Sequence, residues 1–216
     1  MRIPVTTDIA YAADIIRQGR VVAFPTGTAY GLAVDALQGF ALQRLRNLKQ
    51  RPEEKSFTVC IRPDLWDDFV QLSNVERQLM QALHGKSITM LVTAQKPLHH
   101  LAQAGRIGLR LVDHPLMQQF VESVSVPITA TSANLSGQPS CFSPQAIETA
   151  FPLVADGTTY TLSLGAILDG GTLPERAAST IMCVNRDGAT AEIVRVGVVS
   201  ANELAPYLTS AGLRLG

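Results

Sequence analysis

Apolar residues recur at helical spacing from Asp8 to Gln18 (D-I-A-Y-A-A-D-I-I-R-Q), which predicts an amphipathic helix capped by Thr7 or Asp8 and stopped at Gly19. The run Val21-Val22-Ala23-Phe24, ended by Pro25, is short, apolar and rich in β-formers, and predicts a buried strand. From there the two periodicities alternate. Strands are predicted at 30–34, 57–61, 87–93, 107–112, 127–131, 166–168, 180–184 and 192–196. Helices are predicted at 39–49, at 74–83 with Asn74 as cap and Gly85 as stop, at 115–123 with Pro in the first turn, at 143–151, and at 201–208. The turn clusters Asp169-Gly170-Gly171 and Arg186-Asp187-Gly188 separate consecutive late strands, so antiparallel pairing is expected at both and a purely parallel doubly wound sheet is not. No segment repeats, and no Gly/Ser or charged linker divides the chain. The expectation is one α/β domain with an open, twisted mixed sheet and flanking helices.

Composition narrows the class. With 46% apolar and 17% charged residues over 216 positions, the chain has ample material for a core and lacks the composition of a disordered protein. Eighteen basic residues cancel eighteen acidic ones, which gives no overall field for nucleic acid and leaves a local basic patch open. No apolar run reaches the length of a membrane span, and M-R-I-P-V-T-T-D has no signal-peptide core. Cys60, Cys141 and Cys183 are far apart with no C-x-x-C pair, as suits reduced thiols in cytoplasm rather than a disulfide or zinc framework. A soluble cytoplasmic protein is expected.

Several familiar chemistries fail on spacing. Gly85-Lys86-Ser87 matches half a phosphate loop, but position 80 is Met and no strand precedes it, so it reads as a helix end. The glycine pairs Gly105/Gly108 and Gly27/Gly31 miss the dinucleotide fingerprint, and His84, His99, His100 and His114 lack ligand spacing on one element. Four stretches remain, all near strand ends. Phe24-Pro25-Thr26-Gly27-Thr28-Ala29-Tyr30-Gly31 sets two hydroxyls and a phenol in a turn. Lys49-Gln50-Arg51-Pro52, followed by Lys55, is either a cationic helix end or a grip on one anion, since Arg51 before Pro52 is biased to extended chain. Thr129-Ala130-Thr131-Ser132-Ala133-Asn134-Leu135-Ser136-Gly137 is either a plain turn or a cluster of ligand donors. Arg110 and Arg195 lie on strands among apolar neighbours, and each needs a partner, an internal carboxylate such as Asp113 or Asp169 or a ligand phosphate. This inventory suits a polyanion held by fixed charges.

In this order P-T-G-T-A-Y-G-L, K-Q-R-P, G-L-R-L-V-D-H-P, T-S-A-N-L-S-G, A-S-T-I and R-V-G resemble the YrdC/TsaC family of threonylcarbamoyl-AMP synthases, over about residues 8 to 200. The resemblance implies a YrdC-like fold with a concave basic face: a catalytic domain over 1–200, with 201–216 as its C-terminal helix and tail. Family members with a further C-terminal domain are longer. It implies a nucleotidyltransferase that makes threonylcarbamoyl-AMP and pyrophosphate from L-threonine, bicarbonate and ATP, with Mg2+ expected beside ATP and no protein metal site. The product feeds a threonylcarbamoyl transferase complex that modifies tRNA, and direct tRNA contact is left open. By motif, Lys49, Arg51, Ser132 and Asn134 correspond to the catalytic tetrad. Lys55, Arg110, Thr131, Ser136, Ser179 and Arg195 would join the tetrad on ATP, and Thr26, Thr28, Tyr30 and Thr89 would face threonine.

Three departures bear on the amino-acid site. Gly27 stands where many members have Glu, Cys60 where a His often ends the strand (with Ser56-Phe57 for Pro-Leu), and Leu83-His84-Gly85-Lys86 replaces a W-P-G-P turn. Two competing readings follow: a non-catalytic RNA-binding module of the same fold, and an adenylate-forming carbamoyltransferase with another acceptor.

Overall fold

The structure is a computed structural model and describes residues 3–152 and 164–216. Strand β1 (Val5–Thr6) leads into helix α1 (Ile9–Arg17), where the Asp8 side chain accepts the Tyr11 N–H at 3.0 Å, so Asp8 is the cap. Strands β2 (Val21–Pro25) and β3 (Tyr30–Ala33) form a hairpin, and α2 (Gly39–Lys49) follows. Next come β4 (Val59–Cys60), the short α3 (Trp66–Phe69), β5 (Val70–Gln71) and α4 (Asn74–Ala82). The cap of α4 is Ser73, not Asn74. Its hydroxyl accepts the Glu76 N–H at 3.2 Å while the Glu76 carboxylate accepts the Ser73 N–H at 2.8 Å, a reciprocal box that Asn74 cannot form. Gly85 ends this helix region with φ +81°, as its reading as a helix end required. The chain continues through β6 (Ile88–Ala94), β7 (Arg106–Arg110), α5 (Pro115–Ser123), β8 (Ile128–Thr129), β9 (Thr131–Ser132) and α6 (Pro144–Ala150). It closes with β10 (Leu164–Leu168), β11 (Thr180–Val184), β12 (Thr190–Arg195), α7 (Ala201–Ser210) and β13 (Arg214–Leu215).

The strands form two open mixed sheets where the sequence suggested one. Five pair in the order β1-β10-β2-β3-β9, and eight in the order β13-β12-β11-β6-β7-β4-β8 with β5 beside β6. The predicted strand 127–131 is divided between them. Ile128 and Thr129 pair with β4, whereas Thr131 and Ser132 pair with β3, so the chain changes sheet at Ala130. The Arg186-Asp187-Gly188 turn joins the antiparallel β11 and β12 as expected. The antiparallel pairing expected at Asp169-Gly170-Gly171 is not formed: β10 runs parallel to both its neighbours, and the following segment crosses to β11 in the other sheet.

Strand β2 is buried along its whole length, and its side chains alternate between two cores. Val21 and Ala23 join the large cluster of Leu32, Val59, Met90 and Leu109, while Val22 and Phe24 join Ile15, Ile16 and Phe120 beneath α1 and α5. The Phe24 and Phe120 rings pack at 5.5 Å in a tilted arrangement. Burial on both faces leaves the exposed ends of the strands as the places for polar chemistry.

Candidate active site

Where β3 and β9 of one sheet approach β6, β7, β11 and β12 of the other, the structure holds an open cavity of about 250 Å³. The β2–β3 turn supplies its first donors. Thr26 Oγ1 donates to the Ala29 carbonyl at 2.6 Å and stands 3.2 Å from Thr28 Oγ1. Tyr30 turns its hydroxyl to the β10–β11 connection, where it accepts the Gly170 N–H at 2.9 Å and donates to the Gly171 carbonyl at 2.8 Å. Burial pushes this phenol up to about 12, so it stays protonated as that donor.

Four arginines line the cavity: Arg51, Arg110, Arg176 and Arg195. Arg51 donates to the Ser56 carbonyl at 2.7 Å and lies over the Phe57 ring at 5.0 Å; burial and the nearby Arg46 draw its pKa below the ordinary value. Arg110 is paired with Asp113, both side chains being nearly inaccessible. Of the partners considered for it, Asp113 is therefore the internal carboxylate, although Arg110 Nε is buried without a partner among the described residues. Asp113 also accepts the Gly27 N–H at 3.0 Å and the Ser87 hydroxyl at 2.5 Å. Arg195 meets no carboxylate among the described residues; it donates to the Ser179 carbonyl at 2.7 Å, and the Ser179 hydroxyl stands 2.9 Å from that of Thr89. Burial, then Arg110, lowers its pKa. No lining side chain among the described residues is acidic, so the cavity carries unneutralised positive charge.

The T-S-A-N stretch forms the sheet-to-sheet crossing and the turn beyond it. Thr131 and Ser132 line the cavity. Lys49 comes to this turn from behind. It is 1% exposed, and its Nζ donates to the carbonyls of Ser132 at 2.5 Å and Asn134 at 2.7 Å. Desolvation, reinforced by Arg51, lowers its pKa from 10.5 to about 7. The backbone explains why Lys49 and Arg51 part: Gln50 adopts a left-handed conformation (φ 49°), which ends α2 and sends Arg51 to the cavity while Lys49 stays beneath the turn. Asn134 is used within the turn as well, its amide donating to the carbonyls of Leu135 at 2.8 Å and Gln138 at 2.6 Å.

Of the residues singled out in the sequence, Thr26, Thr28, Tyr30, Arg51, Thr89, Arg110, Thr131, Ser132, Ser179 and Arg195 meet at this one cavity. Lys49 and Asn134 support it from outside the lining, and Lys55 and Ser136 are not part of the lining. Lys55 is exposed, and its carbonyl accepts from Arg46 and Arg51, while the Ser136 hydroxyl is buried without a partner among the described residues. Thr58, Ser140 and Arg176 line the cavity and were missed. The first two carry no signal beyond a hydroxyl, and Arg176 sits in an irregular stretch with no periodicity to place it. No group of three or more His, Cys, Asp or Glu able to hold a metal occurs among the described residues.

Two open sheets meeting at a cavity lined by arginines and hydroxyls define a mixed α/β protein. The chain belongs to the Sua5/YciO/YrdC family, whose model, described as "Telomere recombination", matches residues 14–197. It is 34% identical over 136 residues to the threonylcarbamoyl-AMP synthase of Haemophilus influenzae, a match over 60% of this chain and 74% of that protein. The synthase of Vibrio campbellii is 30% identical over 188 residues, 84% of this chain and 95% of its own length. The crystal structure of P. abyssi Sua5 complexed with L-threonine superposes with a TM-score of 0.80 at 23% identity, a likeness of fold. It covers all of this chain, which spans 62% of that protein.

Proposed function

We propose that this chain is an L-threonylcarbamoyladenylate synthase, consuming L-threonine, bicarbonate and ATP and releasing pyrophosphate. The observation that carries the reading is the convergence on one cavity of hydroxyls from the β2–β3 turn, Ser132 from the sheet crossing and guanidinium groups from three separate strand or helix ends. The neutral threonine amine condenses with bicarbonate, forming the N–C bond and releasing one water, to give a carbamate. Its oxygen attacks the α-phosphorus, the bond from that phosphorus to the β-bridging oxygen breaks, and the electron pair leaves with pyrophosphate. Two anions must be brought together for that step, and fixed guanidinium and hydroxyl donors are suited to it. Arg51, Arg110, Arg195 and Ser179 take the nucleotide, with Thr131 and Ser132 beside the reacting centre and Thr26, Thr28, Tyr30 and Thr89 on the amino acid. Lys49 and Asn134 act by holding the turn that carries Ser132. Magnesium, where it takes part, enters on the nucleotide's own phosphates.

Residues 1–200 act as the catalytic unit, and 201–216 belong to it, since β13 extends the sheet beside β12. No helix among the described residues is long and apolar enough to cross a membrane, which fits a place in the cytoplasm upstream of the transferase that completes the tRNA modification. A non-catalytic RNA surface is less well supported, because these cations sit among hydroxyls in a cavity rather than along an open face with aromatic stacking groups.

Pyrophosphate release is expected to require ATP, threonine and bicarbonate together. Release that continues unchanged without threonine rejects the threonine assignment and favours another acceptor. Arg51→Ala is expected to lower kcat/KM by about 10- to 100-fold, the value of a charge-assisted contact of about 1.5–3 kcal/mol, with the thermal midpoint nearly kept. Steady-state kinetics beside a melting curve checks it, and wild-type turnover would show that Arg51 merely ends α2.

A further inference from the structure

Residues 169–179 form an extended connection with no regular structure, running from β10 in one sheet to β11 in the other. Both ends are fastened. At the start, Tyr30 holds Gly170 and Gly171, and the Leu173 N–H donates to the Phe142 carbonyl at 2.7 Å with the leucine side chain buried. At the far end, the Ala178 carbonyl accepts the Val198 N–H at 2.9 Å, and Ser179 is tied to Thr89 and Arg195. Between these anchors lie the exposed residues 174–178, and from them Arg176 reaches the cavity lining.

Arg176 differs from the other three arginines there. Arg51 is partly used on the Ser56 carbonyl, Arg110 on Asp113 and Arg195 on Ser179. Among the described residues no hydrogen bond or ion pair engages Arg176, whose guanidinium has five donors to offer a ligand in the cavity. An anion in the cavity would face this guanidinium together with the other three, of which Asp113 balances one.

We propose that Arg176 binds the β- and γ-phosphates of the nucleotide and receives the charge of the departing pyrophosphate. The inference rests on the nucleotide reading above. The pinned arginines and the buried hydroxyls of Thr89 and Ser179 form the inner wall, suited to the fixed geometry of the α-phosphate. The leaving group must exit toward solvent, where the exposed Arg176 stands. When the bond from the α-phosphorus to its β-bridging oxygen breaks, the new negative charge falls on pyrophosphate, and a planar guanidinium can take two of its oxygens at once.

The test is calorimetric titration of inorganic pyrophosphate, and separately of AMP, into the wild-type chain and the variants Arg176→Ala and Arg176→Lys. Pyrophosphate affinity is expected to fall about tenfold or more in Arg176→Ala and less in Arg176→Lys, with AMP affinity within about twofold of wild type. In turnover, KM for ATP rises and product inhibition by pyrophosphate weakens, while KM for threonine holds. Unchanged pyrophosphate affinity in Arg176→Ala, an equal loss for AMP, or no pyrophosphate binding by the wild type overturns the proposal. Pyrophosphate binding that depends on Arg176 in a protein that does not turn over threonine would keep this assignment and reject the synthase reading instead.

Discussion

Lys49→Met is expected to lower the unfolding free energy by about 2–4 kcal/mol and to remove most turnover, although Lys49 is not among the residues that line the cavity. Methionine keeps much of the aliphatic length, so the substitution isolates the loss of the ammonium. The Asn134 carbonyl then loses its donor inside the protein and the Ser132 carbonyl keeps only the Asn134 N–H at 3.1 Å, and a buried acceptor left unsatisfied costs about 1–3 kcal/mol. The turn that carries Ser132 loses the group that fixes its shape, so activity falls with stability. Urea unfolding and a turnover assay check this together. A variant within about 0.5 kcal/mol of wild type would show that the turn holds itself.

The same residue gives stability a pH dependence of definite sign. Its folded pKa is lowered from 10.5 to about 7, so between those values the unfolded chain carries a proton that the folded chain has released. Unfolding free energy rises with pH where the unfolded state binds more protons, so the contribution of Lys49 is flat below pH 7 and grows toward pH 10.5. The stability gap between wild type and Lys49→Met is therefore expected to widen over that range. A constant gap would mean that the amine stays charged throughout.

Much of this architecture could be read from short-range pattern. The Asp8 cap, the buried run of β2 and the turn between β11 and β12 depend on residues a few positions apart, and each formed where spacing placed it. Features set by long-range partners were not legible. Nothing local tells that residues 127–131 divide at Ala130 between two sheets, because the division is made by β4 and β3 more than 60 residues upstream. The cation pair Lys49-x-Arg51 shows the same limit at the site. An extended chain would aim both at one anion, but the left-handed Gln50 separates them, and the ammonium goes to carbonyls 83 and 85 residues away. Arg176 was invisible because an arginine in an irregular stretch looks like any solvated side chain until the opposite wall of the cavity is in place.

Position 27 carries the departure with the sharpest structural consequence. A Cβ built on Gly27 would lie 2.5 Å from Asp113 Oδ2, 2.8 Å from its Cγ and 2.9 Å from its backbone carbonyl, so even alanine cannot enter without moving the loop after β7. The Asp113 carboxylate already stands beside this turn, held by Gly27, Ser87 and Arg110. Gly27→Ala is expected to cost about 1–3 kcal/mol as overpacking. Gly27→Glu is expected to cost about 3–5 kcal/mol, because it also sets a second carboxylate against a buried one and disturbs the partner of Arg110. Turnover should fall with it through loss of the Arg110 geometry. A double-mutant cycle with Asp113→Ala separates this packing from a general weakness of the turn. With the aspartate side chain gone, the penalty of Gly27→Ala should shrink by about 1 kcal/mol or more. Strictly additive penalties would show that the β2–β3 turn and the loop after β7 relax independently, and that position 27 can accept a side chain with Asp113 in place.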